Sequence, residues 1–128
     1  MTTNNSTNNI THGFTINLTQ TTHGFSAGNV VYFNGTSYAL AQANSAANAE
    51  VVGIVIASIN ANNFTLQYGG LVTGLSGLTA GAAMFLSPTS GGTLTSTKPT
   101  TIGQIVKTVL IAVSTTSGYL VNMLGLQL

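Results

Sequence analysis

Apolar and polar residues alternate with a period of two along much of this chain. Phe14, Ile16 and Leu18 are separated by Thr15 and Asn17, and Phe64, Leu66 and Tyr68 by Thr65 and Gln67. Successive strand side chains point to opposite faces, so each run reads as a strand with one buried face. Val51 to Ile59 differs: it is a β-branched run interrupted by Gly53, which predicts a core strand covered on both faces. Further strands are expected over Val30 to Phe33, Tyr38 to Ala43, Ala83 to Leu86, around Leu94, Ile102 to Lys107, Val109 to Val113 and Tyr119 to Leu124.

The connections carry turn chemistry. Asn34-Gly35 between two strand patterns predicts a hairpin with a type I′ turn, in which both central residues need positive φ. Asn60 to Asn63, Pro88 to Gly92 and Ser114 to Gly118 read as turns, and Gly69-Gly70 as a break or bulge. Residues 44–49 (NSAANA) tolerate one helical turn at most, and no longer segment has a helical period. The fold class that follows is all-β: a small antiparallel barrel or sandwich of about nine or ten short strands.

The N-terminus stands apart from this pattern. Residues 1–11 (MTTNNSTNNIT) hold Thr, Asn and Ser around a single Ile, too little apolar area to offset the entropy of ordering. Residues 1–21 are therefore expected to form an extended arm on a module spanning 22–128. Such an arm can become a strand on a partner, because its peptide groups are available for pairing. Its apolar positions Ile10, Phe14, Ile16 and Leu18 are the candidate partner-binding residues. Thr11-His12-Gly13-Phe14-Thr15 recurs eleven residues later as Thr22-His23-Gly24-Phe25-Ser26. Each His-Gly pair reads as a turn leading into a strand. With no Asp, Glu or Cys nearby to complete a metal site, His12 and His23 are turn or interface candidates, a ring about an oligomer axis included.

Charge changes the picture most. Glu50, Lys98 and Lys107 are the formally charged residues, 2% of the composition against roughly 25% in an ordinary soluble domain. Two distant lysines cannot neutralise a run of phosphates, so a nucleic-acid partner is excluded. Acid–base or metal catalysis needs clustered carboxylates, histidines or thiolates, and the chain has one carboxylate and no cysteine. No Gly-x-Ser-x-Gly elbow accompanies the serines, and no lysine or helix follows the Gly-rich loops, so neither an enzyme nor a phosphate-binding cofactor is expected. The longest apolar runs are of strand length, and the N-terminus lacks a signal peptide's basic and apolar regions, so no membrane span or Sec-type export is expected. Soluble monomers rely on surface charge to stay apart; this chain is suited to being fixed in an assembly. Lys98 and Lys107 are expected beside apolar strands, where a charge discourages edge-to-edge pairing, and Glu50 as a lysine's partner or a strand-edge marker.

A set of segments adds a resemblance. His23-Gly24-Phe25-Ser26-Ala27-Gly28-Asn29-Val30-Val31-Tyr32 is followed by Asn34-Gly35-Thr36-Ser37-Tyr38, then by Ala49-Glu50-Val51-Val52-Gly53-Ile54-Val55 and Asn62-Asn63-Phe64-Thr65-Leu66. Leu75-Ser76-Gly77-Leu78-Thr79-Ala80-Gly81 leads to Phe85-Leu86-Ser87-Pro88, and Gly103-Gln104-Ile105-Val106 and Ser117-Gly118-Tyr119-Leu120-Val121-Asn122 close the series. This succession, over residues 22–124, resembles small β modules of tailed-phage virion proteins, found in capsid decoration (cement) proteins and in tail-fibre-like proteins. The resemblance to decoration proteins implies a cofactor-free structural protein on the capsid surface of the virion. It would bind the major capsid protein of the assembled head as a homotrimer and stabilise the shell. Fibre proteins usually carry the module inside a long chain, so a chain that starts at Met1 with one module and a polar arm is more similar to decoration proteins. The alternative is a tail-fibre or head-fibre module that binds a host-surface glycan through its aromatic residues.

Overall fold

The computed structural model describes residues 13–128, and the description below concerns those residues. They form eleven strands: β1 (Gly13–Thr19), β2 (Val30–Phe33), β3 (Tyr38–Leu40), β4 (Val51–Asn60), β5 (Asn63–Val72), β6 (Ala83–Leu86), β7 (Leu94–Thr95), β8 (Ile105–Val106), β9 (Thr108–Ala112), β10 (Gly118–Leu120) and β11 (Leu126–Gln127). One 3-10 turn, Ala47–Ala49, occupies the helix-tolerant stretch. Nine strands make one antiparallel sheet in the order β3-β2-β4-β5-β10-β9-β6-β7, with β1 also paired to β5. β8 and β11 form a small second sheet. The all-β expectation holds, and the large sheet curls into a half-barrel.

The curl is driven by burial on both faces of the central strands. Val30 and Ile54 face a larger core with Val72, Met84, Leu86, Val109 and Leu110, drawn from strands at both ends of the sheet order. Their neighbours Val31 and Val55 face the other way, into a smaller core with Phe25, Phe64 and Leu66. A strand flanked by apolar packing on both faces has no solvent side, which is why Val51 to Val55 reads as a near-continuous apolar run. Residues 20–27 cover the second core, and Phe25 and Phe64 meet edge to face at 5.2 Å.

β5 is the spine. It is registered with β4 through Asn63 to Gln67, with β10 through Gly70 to Val72, and with β1 from Asn63 to Gly70. A bulge between Phe14 and Thr15 of β1 accommodates Tyr68, and the Gly69-Gly70 pair lets the strand continue through the irregularity rather than break. A Cβ on Gly69 would lie 2.9 Å from the Phe14 ring, so only glycine permits that aromatic to lie over the backbone. The buried Gln67 amide holds the bulge shut: its Nε2 donates to the carbonyls of Gly69 and Leu71, both at 2.9 Å.

Two local expectations need correction. The Asn34-Gly35 hairpin exists, joining β2 to β3, but its loop runs from Asn34 to Ser37 and positive φ is confined to Gly35. Asn34 Oδ1 accepts the backbone N–H of Thr36 and of Ser37, an Asx-type closure that supplants the type I′ turn. Residues 13–19, read as a strand by pattern but grouped with the extended arm, form β1 on the chain's own sheet, because Leu18 has Phe64 to pack against and Ile16 has Leu66 as its cross-strand neighbour.

Replacing Gln67 with Leu removes the donor to two carbonyls at the bulge; a loss of about 1–3 kcal/mol is expected in equilibrium denaturation, the cost of part-buried acceptors left unmade.

Candidate interaction surface

Among the described residues no three metal-ligating side chains cluster, and no helix is long and apolar enough to cross a membrane. Two clefts stand out among the described residues. One, of about 260 Å³, is lined largely by glycines and apolar residues of the 27–29, 74–78 and 92–94 segments. The other, of about 240 Å³, is lined by hydroxyls with Lys98 and Gln104. Neither is lined by a carboxylate or a histidine.

Large apolar side chains are exposed on several elements, Phe33, Ile59 and Tyr119 among them, and the most exposed of those described fall in two regions. The first lies on β1. Phe14 is 66% exposed, stacks on the exposed Tyr68 with ring centroids 6.0 Å apart, and shares its face with exposed Ile16. Leu18, two residues further, turns inward against the second core, so one apolar stripe runs from the interior to the rim. β1 is paired on one side by β5, and Thr65 Oγ1 donates to Asn17 Oδ1 at 2.8 Å while Thr19 Oγ1 donates to Asn63 Oδ1 at 2.8 Å. Ile10 and His12 lie outside the described residues.

The second region is the C-terminal ribbon. After β10 the chain stays antiparallel to the 104–109 segment. Val121 and Asn122 donate their N–H groups to Val109 O, Met123 to Thr108 O, and Leu128 to Gln104 O. Asn122 takes a left-handed φ of 41° and its Nδ2 donates to Val51 O at 2.8 Å, which pins the start of the ribbon to β4. A Cβ on Gly125 would lie 2.7 Å from Ile105, so glycine lets the ribbon close down on the core. The flanking Leu124 and Leu126 point away from it and are exposed.

His23 belongs to the fold rather than to an interface. Its ring is buried between Phe25 and Phe64, with centroids at 5.4 and 5.1 Å. Nε2 lies 2.7 Å from Asn60 O and 3.1 Å from Asn63 O, while Nδ1 accepts the Phe25 N–H at 2.9 Å. That pattern requires the neutral tautomer with its proton on Nε2, and it ties the 22–25 turn to the β4–β5 hairpin. The turn reading of the His-Gly pair describes this position, and no ring atom is left for an oligomer axis.

The charged residues also shift in role. Lys98 lies in the 96–104 loop, outside any strand. Lys107 is buried where β8 passes into β9, not displayed as a guard on an edge. Burial pushes its ammonium below the ordinary value of 10.5, and the Glu50 carboxylate pulls it partly back. The aliphatic part of Lys107 passes below Gly125, whose Cβ would be 3.9 Å from its Cδ.

Sequence reasoning marked Phe14 and Ile16 but missed the ribbon, which it treated as the end of an ordinary strand. The signal was available: Val121-Asn122-Met123-Leu124-Gly125-Leu126-Gln127-Leu128 carries five apolar residues and no charge. Comparison of the chain with protein-family models, curated proteins and solved structures finds no match.

The lowered Lys107 value fixes a sign. The unfolded chain binds this proton more tightly than the folded one, so stability should rise as pH climbs through the folded value toward 10.5. Thermal melts across that range are expected to show the rise in the parent chain and a flatter profile in Lys107→Met.

Proposed function

We propose that the chain is a structural component of a tailed-phage head: a capsid decoration protein that binds the major capsid protein of the assembled shell as a homotrimer and stabilises it. The observation that carries this reading is a nearly charge-free chain that keeps many large apolar side chains exposed, the most exposed of those described falling in two separate regions. An ordinary monomer of this size would aggregate through such surface, whereas a protein held permanently among partners uses it. The absence of any clustered acid, base or metal ligand among the described residues fits a building block. The virion assignment itself rests on the succession of segments described above for residues 22–124.

Phe14 and Ile16 are the residues to engage the shell, from a strand whose outer edge is unpaired among the described residues and can accept a capsid strand. Binding only the assembled shell stabilises that state by mass action, and three modules acting together multiply the effect. With so few charges, attachment depends weakly on ionic strength.

A second reading, a fibre module that binds a host-surface glycan, draws on the same place: the exposed Phe14–Tyr68 stack is a flat apolar platform of the kind sugars pack on. Copy number separates the two. Hundreds of copies per particle belong to decoration, and tens or fewer to a fibre.

Particles stripped of the protein should burst sooner on heating or osmotic shock, and adding back the parent chain should restore them at both low and high salt. Phe14→Lys and Ile16→Lys should keep their fold by circular dichroism yet fail to rescue; rescue equal to the parent chain would rule out this contact.

A further inference from the structure

The C-terminal ribbon breaks the usual rules for a solvent-facing strand. Leu126 is registered with Val106 and Gln127 with Ile105, so Leu124, Leu126 and Leu128 share the face that looks away from the core. Leu124 is 92% exposed and Leu126 65% exposed. Ile102 is 89% exposed and immediately precedes Gly103, whose N–H donates to Leu128 O at 2.9 Å, so it extends the same patch. Val121 and Met123 add exposed apolar surface at the other end of the segment.

Among the described residues nothing covers the patch. β11 pairs with β8 alone, leaving its outer edge unpaired among the described residues. A two-stranded sheet with one apolar face open is marginal by itself. The usual protections of an edge are a lysine, a proline, an inward charge or a bulge; residues 121–128 contain no charged residue and no proline.

We infer that this patch, centred on Leu124 and Leu126 and extended by Ile102, is the seam through which copies of this chain associate. The occupant is a second copy for two reasons. First, Leu124, Leu126, Leu128 and Ile102 make an exposed apolar patch rather than scattered single residues, the mark of an association surface, and a contact between copies buries that patch on every partner, toward the size of a stable interface. Second, a patch free of charged side chains meets no like-charge repulsion when three copies bring it together about a common axis, whereas it gives a charged partner nothing to recognise. The inference rests on the homo-oligomer part of the proposed function and names its surface; it places the seam on the ribbon and leaves the β1 stripe for the shell.

The test is sedimentation velocity of the purified full chain over a wide concentration range, with no shells present. The parent chain should associate reversibly into one closed oligomer. Leu124→Lys and Ile102→Lys should each weaken association by roughly a hundredfold or more, since each buries an unpaired charge in the seam, while Thr36→Lys on the β2–β3 loop should leave it unchanged. The two seam positions lie on separate segments and are almost fully exposed, so if one variant fails to fold the other still reads the seam. A parent chain that remains monomeric throughout overturns the inference, as do folded Leu124 and Ile102 variants that associate like the parent. Association that Thr36→Lys weakens equally also overturns it, because charge anywhere would then suffice. Failure of shell attachment leaves the sedimentation result standing, so the two ideas fall separately.

Discussion

The continuity of β5 through its bulge is the constraint on which the rest of the structure depends. One strand has to serve β4, β1 and β10 within ten residues. A strand has two edges: β1 takes one, from Asn63 to Gly70, and β4 and β10 share the other in succession, through Asn63 to Gln67 and Gly70 to Val72. The bulge at Tyr68 lies where β4 gives way to β10, and the Gln67 amide ties its two sides together through Gly69 and Leu71. Without it, β10 would lose its register on β5, and with β10 would go β9, β6 and the far wall of the larger core.

That lock is an amide rather than an ion pair, and the same substitution recurs throughout. Gln20 donates through Nε2 to Tyr38 O and accepts the Tyr38 N–H on Oε1, behaving as a short piece of strand beside β3. Asn60 Oδ1 closes the β4–β5 turn on Asn62 and Asn63, and Ser87 Oγ caps the turn after β6 by accepting the N–H groups of Thr89 and Ser90. A neutral amide or hydroxyl can be buried at moderate cost once bonded, whereas a buried charge needs a partner and shifts its titration. Lys107 shows the second case within the same molecule. A chain built from the first kind of contact has few interactions for salt to screen.

Much of this fold is legible from local chemistry. The alternation at residues 14–18 and 64–68, the two-faced run after Val51, and the turn residues at 60–63 and 114–118 each name their element, because period and turn propensity are properties of the residues themselves. What escapes is set by residues far apart in sequence. The type of the Asn34 turn is decided by a side chain bonding two and three residues ahead. The docking of residues 13–19 depends on Phe64 and Leu66, some fifty positions away, and nothing local separates such a strand from a free arm. His23 looks the same in sequence as His12, yet its role comes from Asn60, Asn63 and two phenylalanine rings. Of the candidate surface, Phe14 and Ile16 were visible because their neighbours are polar. The ribbon was not, since an apolar terminal strand reads as core until the register shows which face has no cover.

The placement of the two exposed regions bears on how such a chain avoids sticking to everything. Surface without charge associates indiscriminately unless its geometry limits what fits, and here the two apolar regions have different geometries. On β1 the stripe begins in the core at Leu18 and ends at Phe14, seated on a glycine and backed by Tyr68, so it presents a narrow aromatic rim beside an open strand edge. On the ribbon the apolar side chains sit on a short flat sheet, pinned at one end by Asn122 and at the other by the Gly103–Leu128 bond. A rim and a flat face are not complementary to each other, and that disfavours head-to-tail chaining of copies, the route by which an apolar patch finding a pocket elsewhere on the same molecule produces open fibres. In the proposed assembly each region would meet its own kind of partner, with shape taking over the discrimination that charge provides in most proteins.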